Sequence, residues 1–309
     1  FIVLPLLPAQ PIDPLQALNP HKLWLLVILI SGLSLVGYVA VRWLGTARGT
    51  AITGLSGGLV SSTAVSLSFA RQSRTDKDPL AGDTLAAGIL IAWMVMFVRV
   101  VVTVAIVYPP LVTRLLVPFA TMATTAAGLA GVFYWLGARR ARPIESSGEV
   151  QVKNPFSLAA ATRFGLVFAL VLVVVKLTER YAPVEGLYVV AAVAGLTDVD
   201  AINLTMAEFA RQDGDLAIAA AAIAIAALSN TLVKCGMVVV LGSRPLRQRL
   251  MLATAAILAV GLAVIWLAWM PNSAANWAVV FSPRHAAKAT FALNAAPNAR
   301  RFRLMLRTS

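Results

Sequence analysis

The sequence predicts an all-α, polytopic membrane protein built from two copies of one four-helix unit. Three observations carry that reading. The 309 residues are 59% hydrophobic and only 13% charged, with a mean hydropathy of +0.81, where soluble domains carry about 25% charged residues. The apolar residues fall into eight runs, each near the roughly 20 residues a helix needs to cross the hydrocarbon core. A motif in the first half returns in the second.

The eight segments lie at about residues 23–44, 50–70, 84–108, 111–137, 158–177, 187–209, 216–242 and 250–269. Trp24, Trp43, Trp135, Tyr188, Trp266 and Trp269 sit near segment ends, where amphipathic rings prefer the headgroup level. Residues 1–18, opening FIVLPLLP, read as the end of a preceding hydrophobic segment, and the sequence as a C-terminal portion. The polar stretch 139–153, RRARPIESSGEVQVK, divides a first repeat (19–138) from a second (154–270). Beyond it, 271–309 is a basic tail expected to be poorly ordered.

The repeat is legible by eye. GGLVSSTAVSLSFA (57–70) aligns with AGLTDVDAINLTMA (194–207), and the register extends to Asn19-Pro20 against Asn154-Pro155 and Pro110-Leu111 against Pro245-Leu246. It also sets Arg99 opposite Lys234. Repeats of this kind are common in transporters, whose sites form between them. Four crossings per repeat give both halves one orientation, whereas a re-entrant second segment would make the count odd and invert them. With eight crossings, ten bases fall on the face of the chain start and eight on the other, with six more in the tail. The positive-inside rule then favours both termini in the cytoplasm.

Net charge is +13, but no nucleic-acid reading module accompanies it, and the bases suit anionic lipid headgroups. Cys235 is the single cysteine, which excludes an intrachain disulfide. His21 and His285 lie outside the segments and no P-loop occurs, so neither zinc hydrolysis, a serine triad nor ATP hydrolysis is expected. The chain is read as a non-enzyme without cofactors.

Asp198 and Asp200, inside the sixth segment, are the sharpest feature. A carboxylate at membrane depth costs about 3 kcal/mol on insertion scales and usually faces protein or a wet cavity. Residues two apart point about 200° apart on a helix, so the two share a site only if the backbone is irregular, which Gly195 and Thr197 favour. Asp198, Asp200, Asn203 and Thr205 offer oxygens for an ion, with Asp198 and Asp200 as candidate metal ligands. Their repeat equivalents Ser61, Thr63, Ser66 and Ser68 supply neutral acceptors or close helix packing. Arg99 and Lys234 are expected to balance the acids, and Ser229, Asn230 and Thr231 to line the cavity.

GLVSSTAVSLSFAR, NPFSL (154–158) and GLTDVDAINLTMA together resemble the C-terminal membrane domain of unknown function (domain 4010) that accompanies the MgtC/SapB domain in bacterial membrane proteins. The similarity runs from about Leu4 to Trp269. The resemblance implies a preceding MgtC-like helical domain as partner, in a bacterial inner membrane, with a link to magnesium homeostasis that belongs to that other domain. The functional expectation is an ion transporter for Mg²⁺, a monovalent cation or a proton-coupled solute, with a small ion, the bilayer and possible homo-oligomeric copies as partners. Two alternatives stand beside it: a non-transporting regulator, marked by a dry Asp200–Lys234 pair, and an anion pathway through Arg99 and Lys234.

Overall fold

The structure, a computed structural model, describes residues 4–12, 19–44, 50–75, 81–140, 158–181, 184–212 and 214–280. Among these residues it is all-α. The helices are α1 (Pro20–Leu44), α2 (Thr50–Thr75), α3 (Ala81–Val107), α4 (Val112–Arg140), α5 (Leu158–Tyr181), α6 (Val184–Thr197), α7 (Val199–Arg211), α8 (Leu216–Leu241) and α9 (Arg244–Val280). Residues up to Gly261 form one compact unit, which holds the hairpins and the site described below. The second unit begins at Leu262, and its described part, to Val280, is helical. The expected tail therefore starts with ten helical residues, as the Ala- and Val-containing stretch NSAANWAVV permits. Apart from Arg139 and Arg140 in α4, the linker 139–153 lies outside the described residues, as does 281–309.

Local signals place the helix starts. Asn19 caps α1, its Oδ1 accepting from Lys22 N at 3.0 Å ahead of Pro20 at the first helical position. Asp215 caps α8 by accepting from Ala217 N and Ile218 N at 2.6 and 3.2 Å. By length and composition, five helices among the described residues qualify to cross a membrane: α2, α3, α4, α8 and α9. Large apolar side chains such as Val98, Ile106, Leu116 and Val117 point outward on α3 and α4. That surface suits lipid.

Length alone misreads α2. Its backbone leaves helical geometry at Ser61, with φ −163° and ψ 104°. Gly88 of α3 meets both arms: a Cβ built there would lie 2.8 Å from the Thr50 carbonyl oxygen and 2.5 Å from the Phe69 ring. In one straight helix Thr50 and Phe69 would be about 28 Å apart. The first arm runs parallel to α3, since Gly54 packs on Gly88 and Gly58 on Ala92. The second arm returns, with Trp93 Nε1 donating to Ser66 Oγ at 2.9 Å and Phe69 back at Gly88. α2 is thus a re-entrant hairpin with Ser61 at its tip.

Contacts between helix ends fix the rest. At one face, B, the Arg74 guanidinium donates to the Val240 carbonyl at 2.7 Å, Ser243 N donates to Ser73 Oγ at 2.8 Å, and Arg249 pairs with Asp83 at 2.5 Å. Gly137 near the end of α4 also abuts Thr84 there. At the other face, A, Lys22 at the start of α1 lies 3.6 Å from Glu208 near the end of α7. α5 runs antiparallel to α1: Gly165 faces Val27, while Phe168 and Leu172 face Lys22, Leu23 and Leu26 around a small cavity shared with Glu208. So α5 ends at face A, α6 enters from it, and α7 returns to it. The chain turns at Asp198, the repeat partner of Ser61.

Among the described residues each repeat therefore contains three helices that run from face to face (α1, α3 and α4; α5, α8 and α9) and one hairpin, α2 in the first and α6–α7 in the second. Eight crossings in two like-oriented halves are not what the structure has. The halves are inverted, because an odd number of crossings separates equivalent positions. Small residues make the hairpins possible: Gly58 meets Ala92 and Gly195 meets Ala226, where an added Cβ would lie 2.7 Å from the neighbour's Cα in both cases. Small-xxx-small faces let backbones approach closely where lipid provides no hydrophobic drive.

Candidate substrate site at the hairpin tips

The two tips meet. Between them lies a cavity of about 490 Å³, lined by Val60, Ser61, Ser62 and Thr63 of one tip and Thr197, Asp198, Val199 and Asp200 of the other. Met96 and Arg99 of α3, Asn230 and Lys234 of α8, and Val167 of α5 complete the wall. At each tip an oxygen side chain caps the returning arm: Ser61 Oγ accepts from Ala64 N at 3.2 Å, and Asp198 Oδ1 from Asp200 N at 2.9 Å. The same device at equivalent positions explains why both segments break there. Ser and Asp offer the backbone a bonded alternative to continued helix.

Arg99 crosses to the opposite tip and pairs with the Asp200 carboxylate, while also donating to the Leu59 carbonyl at 3.3 Å. Lys234, 2% exposed, reaches the first tip, where its Nζ donates to Ser62 Oγ at 2.8 Å and lies 2.7 Å from Met96 Sδ. Asn230 Nδ2 donates to the Gly195 carbonyl at 2.8 Å, tying α8 to the last turn of α6. Each base thus touches the tip of the other repeat. One finds a carboxylate there and the other a hydroxyl.

Of the residues expected from sequence, Ser61, Thr63, Asp198, Asp200, Arg99, Asn230 and Lys234 converge on the cavity. Ser66, Ser68, Asn203, Thr205, Ser229 and Thr231 do not line it. Ser66 and Thr205 donate to carbonyls one turn back, Ser62 and Ala201, at 2.8 and 2.9 Å, and Thr231 does the same to Ala227 at 2.8 Å. Asn203 is fully buried, its amide making no hydrogen bond to the described residues. Ser62, Met96 and Thr197 were missed, although Ser62 stands between two residues that were named. As to metals, no cluster of three or more His, Cys, Asp or Glu occurs among the described residues. Asp200 is engaged by a guanidinium, which leaves Asp198 as the carboxylate available to a cation.

Fold and site together define a class: a polytopic α-helical membrane protein whose two inverted halves present broken helices to a charge-lined cavity. Within that class, residues 28–242 match the domain of unknown function DUF4010, and the chain belongs to this family. The matched span holds both tips, Arg99 and Lys234. An uncharacterized protein of Aquifex aeolicus (strain VF5) is 32% identical over 201 residues, which cover 63% of this chain and 84% of the relative. No solved structure matches the chain.

Proposed function

We propose that the protein is a secondary transporter that carries a small charged or polar solute, coupled to a cation or proton, through the cavity at the hairpin tips. The observation that carries this reading is the meeting of two re-entrant hairpins around the buried Asp200 and Lys234 and the half-buried Asp198 and Arg99. Broken backbone at membrane depth is tolerated where it is buried in protein or lines a cavity, and ionisable groups there are costly enough to mark a pathway. Hairpin α2 has both ends at face B and hairpin α6–α7 both ends at face A. Each can therefore gate its own face, which is the geometry alternating access requires. The regulatory reading looked for a closed Asp200–Lys234 pair. Asp200 instead pairs with Arg99 beside an open volume, which favours transport.

The inverted arrangement revises orientation. Within the described helices, nine bases lie toward face B (Arg42, Arg71, Arg74, Arg139, Arg140, Arg163, Arg244, Arg247, Arg249) and five toward face A (Lys22, Arg114, Lys176, Arg180, Arg211). We therefore assign face B to the cytoplasm, which places the start of α1 on the opposite side. A bacterial inner membrane, an MgtC-like domain as partner and a link to magnesium homeostasis are what the family resemblance implies, and with self-association they complete the proposal.

The test is flux in proteoliposomes. Purified protein should move protons, Na⁺, K⁺ or Mg²⁺, alone or with a co-solute, above empty vesicles, and Asp200→Asn should remove that flux while the protein remains folded by circular dichroism. Wild-type flux matched by the variant would displace the site. No flux for any ion or solute would sink the transport reading.

A further inference from the structure

We infer that the solute is a zwitterion of the amino-acid class, its ammonium taken by Asp198 and its carboxylate by Lys234; this rests on the transporter reading above and names its substrate. The site contains two carboxylates and two bases, so its formal charge is already zero. Two of the four are spent on each other, in the Arg99–Asp200 pair. The remaining two are unmatched. Lys234 forms no ion pair among the described residues and holds only a hydroxyl and a thioether, the latter a weak acceptor. Asp198 likewise enters no ion pair, and its hydrogen bond to Asp200 N uses only Oδ1.

A buried ammonium without a carboxylate is expensive, and the fold places it at the first tip, beside the N-terminal end of the returning arm of α2, where Ser62 and Thr63 begin a helix. That end carries partial positive charge and attracts a carboxylate. Asp198, on the other tip, supplies the complementary acceptor. A net anion or cation entering this site would unbalance it in a low-dielectric setting. A zwitterion leaves the balance at zero and satisfies both orphans at once. The cavity of about 490 Å³ lies within the range of pockets that take small organic molecules, roughly 300–1,000 Å³. It exceeds the needs of one dehydrated metal ion.

Glycine, L-alanine, L-serine, L-leucine and L-glutamine would be added separately to the purified full chain and the thermal unfolding midpoint recorded. For each that raises it, the analogue without the ammonium (for alanine, propionate), the analogue without the carboxylate (ethylamine) and the blocked forms N-acetyl-L-alanine and L-alaninamide would follow. At least one amino acid should bind, and every one-charge analogue should bind at least about 100-fold more weakly, because each leaves one charge of the site unmet. Lys234→Gln and Asp198→Asn should each abolish the shift. Should either variant fail to fold, the analogue series on the wild type still decides.

No shift from any of the five, or analogues that bind as well as the parent, would overturn the inference. Asp200-dependent cation flux in vesicles without amino-acid binding would overturn the substrate and leave the transporter standing. An amino acid that binds in this charge-dependent way but moves across no membrane would keep the ligand and remove transport.

Discussion

If α2 were one straight helix, its 26 residues would extend about 39 Å and span the roughly 30 Å hydrocarbon core. Thr50 and Arg74 would then emerge on opposite faces. Folded at Ser61, the arm Thr50–Val60 reaches about 16 Å and the arm from Ser62 to Thr75 about 21 Å, so the tip stops near the middle of the core and both ends share face B. The second hairpin repeats the arithmetic: α6 has 14 residues and α7 has 13, arms of about 20 Å each, with both ends on face A. Single cysteines at Thr50, Arg74, Gly186 and Gln212, in a Cys235→Ala background, would be exposed to a membrane-impermeant maleimide in right-side-out and inverted vesicles. Thr50→Cys and Arg74→Cys should react from one face, the cytoplasmic one, and Gly186→Cys and Gln212→Cys from the other. A split within either pair, with Thr50 and Arg74 labelled from opposite faces, would refute the hairpin and the inversion derived from it.

Close packing of the arms should make Gly195→Val costly, since its side chain must displace the Ala226 backbone; a loss of about 1–3 kcal/mol in chemical unfolding is expected, whereas Gly128→Val, with nothing within 4 Å, should unfold like the wild type. Arg99→Leu should destabilise by about 3–5 kcal/mol because it strands the Asp200 carboxylate, and Arg99→Leu with Asp200→Leu should recover most of that; equal midpoints for the single and double variants would remove the pair's role. At Asp198, cap and charge separate: Asn caps a helix as well as Asp, so Asp198→Asn should keep stability within about 0.5 kcal/mol, while Asp198→Ala should lose about 1 kcal/mol, and both should lose solute binding.

The duplication, the two acids and the two mid-helix bases were legible because each is written locally. GGLVSSTAVSLSFA and AGLTDVDAINLTMA carry their likeness in sequence, and charges inside apolar runs stand out. The irregular backbone was legible too, since Asp198 and Asp200 could share a cavity only if the helix broke, and it breaks at Asp198 itself. Chain direction after the break was not. Hydropathy registers the length of an apolar run, and a hairpin of two short arms is as apolar as one span. Only contacts between distant residues, such as Gly88 with both Thr50 and Phe69, reveal the return. Partner choice was hidden for the same reason, because Arg99 and Lys234 meet tips about 100 and 170 residues away along the chain. Ser66 and Thr205 bond the carbonyl one turn back, and residue type and spacing alone do not tell a hydroxyl so engaged from one that faces the cavity.

The inverted duplication also explains why a site this charged can be lopsided. Inversion sends the base of each half to the tip of the other, so a fully symmetric ancestor with a carboxylate at both tips would close two ion pairs, Arg99 to one and Lys234 to the other, and leave nothing to recognise a solute. With Thr63 standing where the second half has Asp200, only one pair closes. Lys234 must share Ser62, and Asp198, with Ser61 as its counterpart, brings back a single negative charge that enters no ion pair among the described residues. On this reasoning, restoring symmetry should abolish binding: Thr63→Asp would offer Lys234 a resident carboxylate in competition with the solute, raising the unfolding midpoint of the free protein while removing the shift caused by an amino acid. A Thr63→Asp protein that binds as tightly as the wild type would show that Lys234 is not where the carboxylate goes.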